Sequence, residues 1–337
     1  MFDLDWKAPW LKGFERHGQE VMVLWSSFKS LAIALNHHAE KENCFLDSKV
    51  HLTPLNEPSL VLSTESGSQS ACKGAMKGSI KGSIKGTPFF VAQEALPPGE
   101  AYESFIYRTH QVPTRDNLHD FFNALCWFRF PLTKSYLNEQ QALAIEALGH
   151  VHARGALRDA LTLLDENACF VWCEHPLWER LKSHDWLDAF WLERESWSQV
   201  RVELFGHALL EKLCAPYKGI TAHALRALPL GPIVPNATHG TNGLNGLNGL
   251  NGSNALFMDL THTHPSPDPL MLTDQQLDQA MLDTLRSMPL NKKPFQALPV
   301  LGVPGWFRGN EDRSFYEDAD VFRPQRKKAP ASGDVGA

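Results

Sequence analysis

The stretch Thr114–Lys134, TRDNLHDFFNALCWFRFPLTK, constrains this chain more than any other, because it specifies a helix, both of its ends and two unlike faces. Pro113 followed by Asp116 marks the expected start, Asp being a favoured N-cap. Leu118, Phe121, Phe122, Leu125 and Phe128 recur at helical spacing and make one apolar stripe. Pro131 is the expected end, since it lacks a backbone N–H and disfavours helix in the residue before it. At about 100° per residue, Asp116, His119, Asp120, Asn123 and Trp127 gather on the opposite face. A solvated face is usually Lys and Glu, whereas these are short or planar groups with fixed donor and acceptor directions. Two readings follow. The face is either a functional cleft or a hydrogen-bonding or solvent face of ordinary kind.

The composition narrows the function classes. Net charge is −6, which argues against a nucleic-acid footprint. Six cysteines stand at 44, 72, 126, 169, 173 and 214 without a C-x-x-C pair, so reduced thiols in a cytoplasmic protein are expected. Only Cys169 and Cys173 lie close, on one face if the segment is a strand. The N-terminus has no basic region followed by an apolar run, so no secretory signal is read there. No stretch approaches 18 uninterrupted apolar residues, and no membrane span is expected.

Taken in order, residues 1–63 form an N-terminal segment anchored by Trp6, Trp10 and Phe14, with one helix from about Gly18 to Glu42. His37 and His38 close that helix and, diverging by about 100°, read as surface residues. Residues 64–87 are a Gly/Ser/Lys repeat expected to be a flexible insertion, although Lys73, Lys77, Lys81 and Lys85 could touch an anionic partner. The main globule spans 88–324. Phe89–Val91 is a strand candidate, and Asn138 is the expected cap of a helix from Glu139 to Leu148. Arg158–Leu164 and Cys169–Cys173 flank Asp165-Glu166-Asn167-Ala168 and read as a β-hairpin with an acidic turn. Trp178, Leu181, Trp186, Phe190 and Trp197 mark amphipathic helices over 175–204, with a strand at Gln199–Leu204.

Phe205–Leu213 is a short helix closed by Pro216, with His207 and Glu211 one turn apart on one face. Such a pair ligates metal, works as acid and base, or merely hydrogen-bonds. The Asn-Gly-Leu repeat within 236–254 and the tail 325–337 read as disordered, and His239, His262 and His264 lack anything to fix a metal geometry. Thr273 with Gln276 makes a capping box for a helix to Arg286, and an aromatic tail follows to Pro324.

Several of these blocks resemble a bacterial family catalogued as a domain of unknown function, DUF3025. They are Asn117-Leu-His-Asp120 with Asn123, Phe130-Pro131 through Lys134 and Asn138, Arg158–Thr162 with Asp165-Glu166, Gly206–Glu211, and Pro304-Gly-Trp306 through Phe322-Arg-Pro324. The resemblance covers roughly Phe89 to Pro324, implies a bacterial protein and supplies no catalytic assignments.

The expected architecture is α+β, a mostly helical single domain with a β-hairpin and a few short strands. The candidate catalytic residues are His119, Asp120, His207 and Glu211, and the candidate ligand-binding residues are Asp116, Asn123, Trp127, Lys134 and Asp159. One reading is a hydrolase-type enzyme. It is either metal-free and acid–base, or assisted by a divalent metal on His119-Asp120 as in HD-type phosphohydrolases, with His110 and Asp159 completing the set. The other is a non-catalytic module binding a small molecule or protein, with Trp127 as a stacking surface. A catalytic site requires His119 and His207 to converge in one concave pocket.

Overall fold

The structure, a computed structural model, describes residues 2–42, 87–148, 155–227 and 268–325. Both repeat segments and His239, His262 and His264 lie outside the described residues. The architecture is mostly helical α+β, built on one continuous hydrophobic core.

The N-terminal region is two helices, α1 (Glu15–Phe28) and α2 (Leu31–Lys41), where one was expected. Lys29 adopts a left-handed conformation with φ 59° and ends α1, and the Ser30 side chain caps α2. The hairpin turns His38 inward. It is fully buried, while His37 stays exposed, so the pair is not a surface pair. Trp10, Leu11 and Phe14 are buried in the core, as are Phe315, Tyr316 and Phe322 of the C-terminal tail. These aromatic residues of both ends are therefore packed into the core.

Strands β1 (Phe89–Ala92) and β2 (Gln111–Thr114) pair in parallel across α3 (Tyr102–Thr109). Helix α4 (Leu118–Arg129) follows, buried on every side from Asp120 to Arg129. On its polar face Asp120, Asn123 and Trp127 are buried, while His119 is partly exposed. Pro131 ends α4 and also begins α5 (Pro131–Leu148), because proline is tolerated in a first helical turn. Asn138 is thus inside a helix and donates to the Glu103 carbonyl at 3.0 Å instead of capping. The early start puts Lys134, Asn138 and Gln141 on one face of α5.

The acidic segment is not a hairpin turn. Ala156–Asn167 is helix α6, and Ala168–Trp172 is strand β3, which begins with no intervening loop. Asp165, Glu166 and Asn167 are therefore the last turn of a helix. Helix α7 (His175–Ser183) leads towards β4 (Arg201–Leu204), then α8 (His207–Lys212) and β5 (Thr221–Arg226). Helix α9 (Asp274–Ser287) carries the expected Thr273–Gln276 capping box, and β6 (Gln296–Pro299) completes a sheet ordered β4-β3-β5-β6. Strand β3 is antiparallel to β4 and parallel to β5, with Cys169 opposite Leu204 and Ala224. It is buried throughout, as expected of a central strand. No described helix is long and apolar enough to cross a membrane. The described cysteines, Cys126, Cys169, Cys173 and Cys214, are free thiols.

Candidate functional site

A cleft of about 310 Å³ opens where α3, α4, α5 and the end of α6 meet the start of α8. Helix α4 is placed by its N-cap, in which the Asn117 side chain accepts from the Asp120 N–H at 2.8 Å. Asn117, not Asp116, is the cap. This presents His119, Asp120, Asn123 and Trp127 to the cleft, and α8 contributes His207 from across it.

The two histidines converge. Their Nε2 atoms lie 3.0 Å apart, with the rings edge to face at 75°. His119 Nδ1 lies 2.9 Å from a Glu211 carboxylate oxygen, and His207 Nδ1 lies 2.8 Å from the Asp165 backbone carbonyl. A carboxylate and a carbonyl oxygen only accept, so each Nδ1 carries a hydrogen. In the neutral rings both Nε2 lone pairs then face the same point. Glu166 brings a carboxylate oxygen to 3.4 Å from His207 Nε2. The ligand atoms of His119, His207 and Glu166 all fall within 4.8 Å of one another.

Burial drives His207 down to about 3 against the opposing pull of the Asp165 charge, with the Lys134 ammonium adding to the shift, so the ring is neutral near pH 7. Burial likewise raises Glu166, helped by the neighbouring Asp165 charge. Burial acts upward on Asp165 as well, but the Lys134 ammonium and His207 outweigh it and hold that carboxyl below its ordinary range. Lys134 is almost fully buried and donates to Asp165 at 2.5 Å and to Asn123 at 2.8 Å. Asn123 in turn donates to the Tyr102 hydroxyl at 3.0 Å.

Not every candidate arrives here. Asp120 lines the cleft, but its carboxylate accepts the Arg115 backbone N–H at 2.6 Å and two guanidinium donors at 2.8 and 3.1 Å. Its lone pairs are largely engaged by Arg115. Asp116 points away, accepting the Leu31 N–H at 2.6 Å beside a separate apolar groove with Met22 and Trp25. Asp159 stands in the first turn of α6 and does not line the cleft, and His110 caps the C-terminus of α3 outside it. The HD-type set of His110, His119, Asp120 and Asp159 is therefore not assembled. Glu211 contributes through His119 from outside the lining. Glu166, Asp165 and Tyr102 also line the cleft, although none of them was among the sequence's candidate site residues. The nearest signal was the acidic pair Asp165-Glu166 near the end of α6.

The family model for Protein of unknown function (DUF3025) matches residues 89–326. The chain belongs to that family. The match spans β1 through the aromatic tail, and so contains every element that builds the cleft. No curated protein and no solved structure matches the chain.

Proposed function

We propose that the cleft is the catalytic site of a metal-assisted hydrolase, in which His119, His207 and Glu166 hold one divalent transition-metal ion. The observation that carries this reading is the pair of Nε2 atoms 3.0 Å apart with both Nδ1 positions committed to acceptors. Two lone pairs aimed at one point repel unless a cation or a proton lies between them. Imidazole nitrogens on one tetrahedral ion sit about 3.3 Å apart, close to the distance here. Metal-bound histidines usually give their other N–H to a carboxylate or a backbone carbonyl, the roles that Glu211 and Asp165 fill.

Charge supports the same reading. Arg115 and Lys134 are the described cations lining the cleft, against the carboxylates of Glu103, Asp120, Asp165 and Glu166. A divalent ion balances that deficit. Two histidines, a glutamate and water are a ligand set of hydrolytic zinc sites, where bound water ionises near neutral pH. The chain's own part is to keep His207 neutral, to orient His119 through Glu211, and to leave the half-exposed Glu166 and His119 facing the open cleft.

A second reading is metal-free acid–base chemistry. The His119–Glu211 contact of 2.9 Å orients His119, and one hydrogen shared between the two Nε2 atoms would let the pair act as acid and base. Elemental analysis of the untagged protein separates the two. About one ion per chain, lost in His119→Ala and His207→Ala but kept in Asp120→Asn, supports the metal site. A native protein without bound metal, and with no affinity for added Zn²⁺, leaves the acid–base relay.

A further inference from the structure

The hydrogen-bond chain Lys134–Asn123–Tyr102 has a direction that chemistry determines. An ammonium only donates, so the Asn123 atom 2.8 Å from Lys134 is the carbonyl oxygen. The amide nitrogen must then be the atom facing Tyr102, and it donates to the phenol oxygen at 3.0 Å. The Tyr102 oxygen is an acceptor in that bond, and no described residue takes its own hydrogen. Tyr102 lines the cleft, so the hydroxyl is a hydrogen-bond donor left for whatever binds there. Each link polarises the next and strengthens the terminal donor. Burial, then the charges of Asp120 and Asp165, push the phenol well above its ordinary range, so it keeps its hydrogen at any working pH.

A second, independent feature is the absence of a spare cation. Arg115 is paired with Asp120 and Lys134 with Asp165, both within 2.8 Å, so neither described cation lining the cleft remains to neutralise an anionic substrate. A phosphate monoester dianion would enter a cleft that even a divalent ion brings only to neutrality. The remaining walls combine apolar Leu96, Ile106 and Trp127 with the amides of Gln93 and Gln141, and about 310 Å³ admits only a small molecule.

We infer that the substrate is an uncharged acyl compound, an ester or amide, whose carbonyl oxygen accepts the Tyr102 hydroxyl hydrogen; this rests on the hydrolase reading above. In the reaction the oxygen of water bonds to the carbonyl carbon, and the π pair moves onto the oxygen held by Tyr102. When that pair returns, the acyl bond to the leaving group breaks. One water proton departs on the leaving group, the other stays with the acid product, and Tyr102 ends unchanged.

The test uses the full-length, Zn²⁺-loaded protein with 4-nitrophenyl acetate, 4-nitroacetanilide and 4-nitrophenyl phosphate, counting only turnover that His119→Ala loses. The acyl substrates should be hydrolysed in preference to the phosphate. Tyr102→Phe should lower kcat about 100-fold, the usual cost of one oxyanion donor, with KM within about threefold and metal content unchanged. Preference for the phosphate, no turnover of either acyl substrate, or a Tyr102→Phe enzyme within about threefold of wild type overturns the inference. Metal content measured on the same samples reports separately on the hydrolase reading, which fails if no ion is held.

Discussion

Gly206 meets the backbone of Asn167 more closely than any side chain allows: a Cβ at position 206 would stand 2.4 Å from the Asn167 nitrogen and 2.5 Å from the Glu166 carbonyl oxygen. The Gly206 N–H also donates to the Ala168 carbonyl at 2.9 Å, pinning the start of α8 against the α6–β3 junction. This contact sets His207 beside Glu166 and the Asp165 carbonyl. The methyl of Gly206→Ala meets the Glu166–Asn167 backbone, which cannot yield as a flexible side chain would. Overpacking of this kind costs about 1–3 kcal/mol. Chemical denaturation should show that loss, and Zn²⁺ affinity should fall with it as His207 is pushed away from Glu166. Native stability and native metal affinity in the Gly206→Ala variant would show that this glycine does not place His207.

The same junction shows why part of the site was hidden in the sequence. The apolar stripe of α4, the short α8 with His207 and Glu211, and the Thr273–Gln276 box follow from spacing and capping chemistry, which are local. Glu166 was obscured because α6 passes into β3 with neither Gly nor Pro, and Asp-Glu-Asn is also good turn chemistry. The break between α1 and α2 is carried by Lys29 in a conformation usually left to Gly or Asn. The commitment of Asp120 to Arg115 and the inward turn of Tyr102 are tertiary facts, and no periodicity encodes them.

Lys134 holds the charge balance of the cleft floor. Its buried ammonium bridges Asp165 and Asn123 and lies 5.5 Å from the Trp127 ring centre. Lys134→Met keeps the length of the side chain and removes its donors, leaving Asp165 as an uncompensated, largely buried carboxylate. Breaking such a pair costs about 3–5 kcal/mol. Urea denaturation at neutral pH should register most of that, whereas Lys182→Met on the exposed face of α7 should change stability by less than about 1 kcal/mol.

His17 and His38 make stability depend on pH. His17 Nδ1 and His38 Nε2 are 2.8 Å apart, and His17 Nε2 lies 3.3 Å from the Arg16 guanidinium, which can only donate. The Arg16 contact makes His17 Nε2 an acceptor and its Nδ1 the donor, so both rings are neutral, stacked or edge-on against Phe128. Burial first, then the Arg16 charge, lowers His17 to about 4, and burial lowers His38 as well. A base whose pKa falls on folding binds its proton more readily in the unfolded chain. Stability is therefore complete above about pH 6.5 and is lost as pH falls from 6.5 towards 4. For His17 alone the loss is on the order of 3 kcal/mol. Denaturation at pH 7.0 and 4.5 should show a steep loss in the native chain and a shallower one in the His17→Leu, His38→Leu double variant. Equal slopes would place the acid sensitivity elsewhere.

Glu211 offers a way to weaken the proposed metal site without touching a ligand. Its carboxylate accepts from His119 Nδ1 at 2.9 Å and is half-exposed, so Glu211→Gln should fold normally. The amide oxygen can still accept that hydrogen, but the carboxylate charge behind the ring is gone. Changes at this second layer cost about 10–100-fold in metal affinity. Zn²⁺ titration by calorimetry should show a weakening of that size with stoichiometry retained, and a smaller rise in Tm with added Zn²⁺. A metal-free relay predicts something else: Zn²⁺ would bind neither protein and would leave both Tm values unchanged. Thermal shift with and without Zn²⁺ on the two chains separates these outcomes directly.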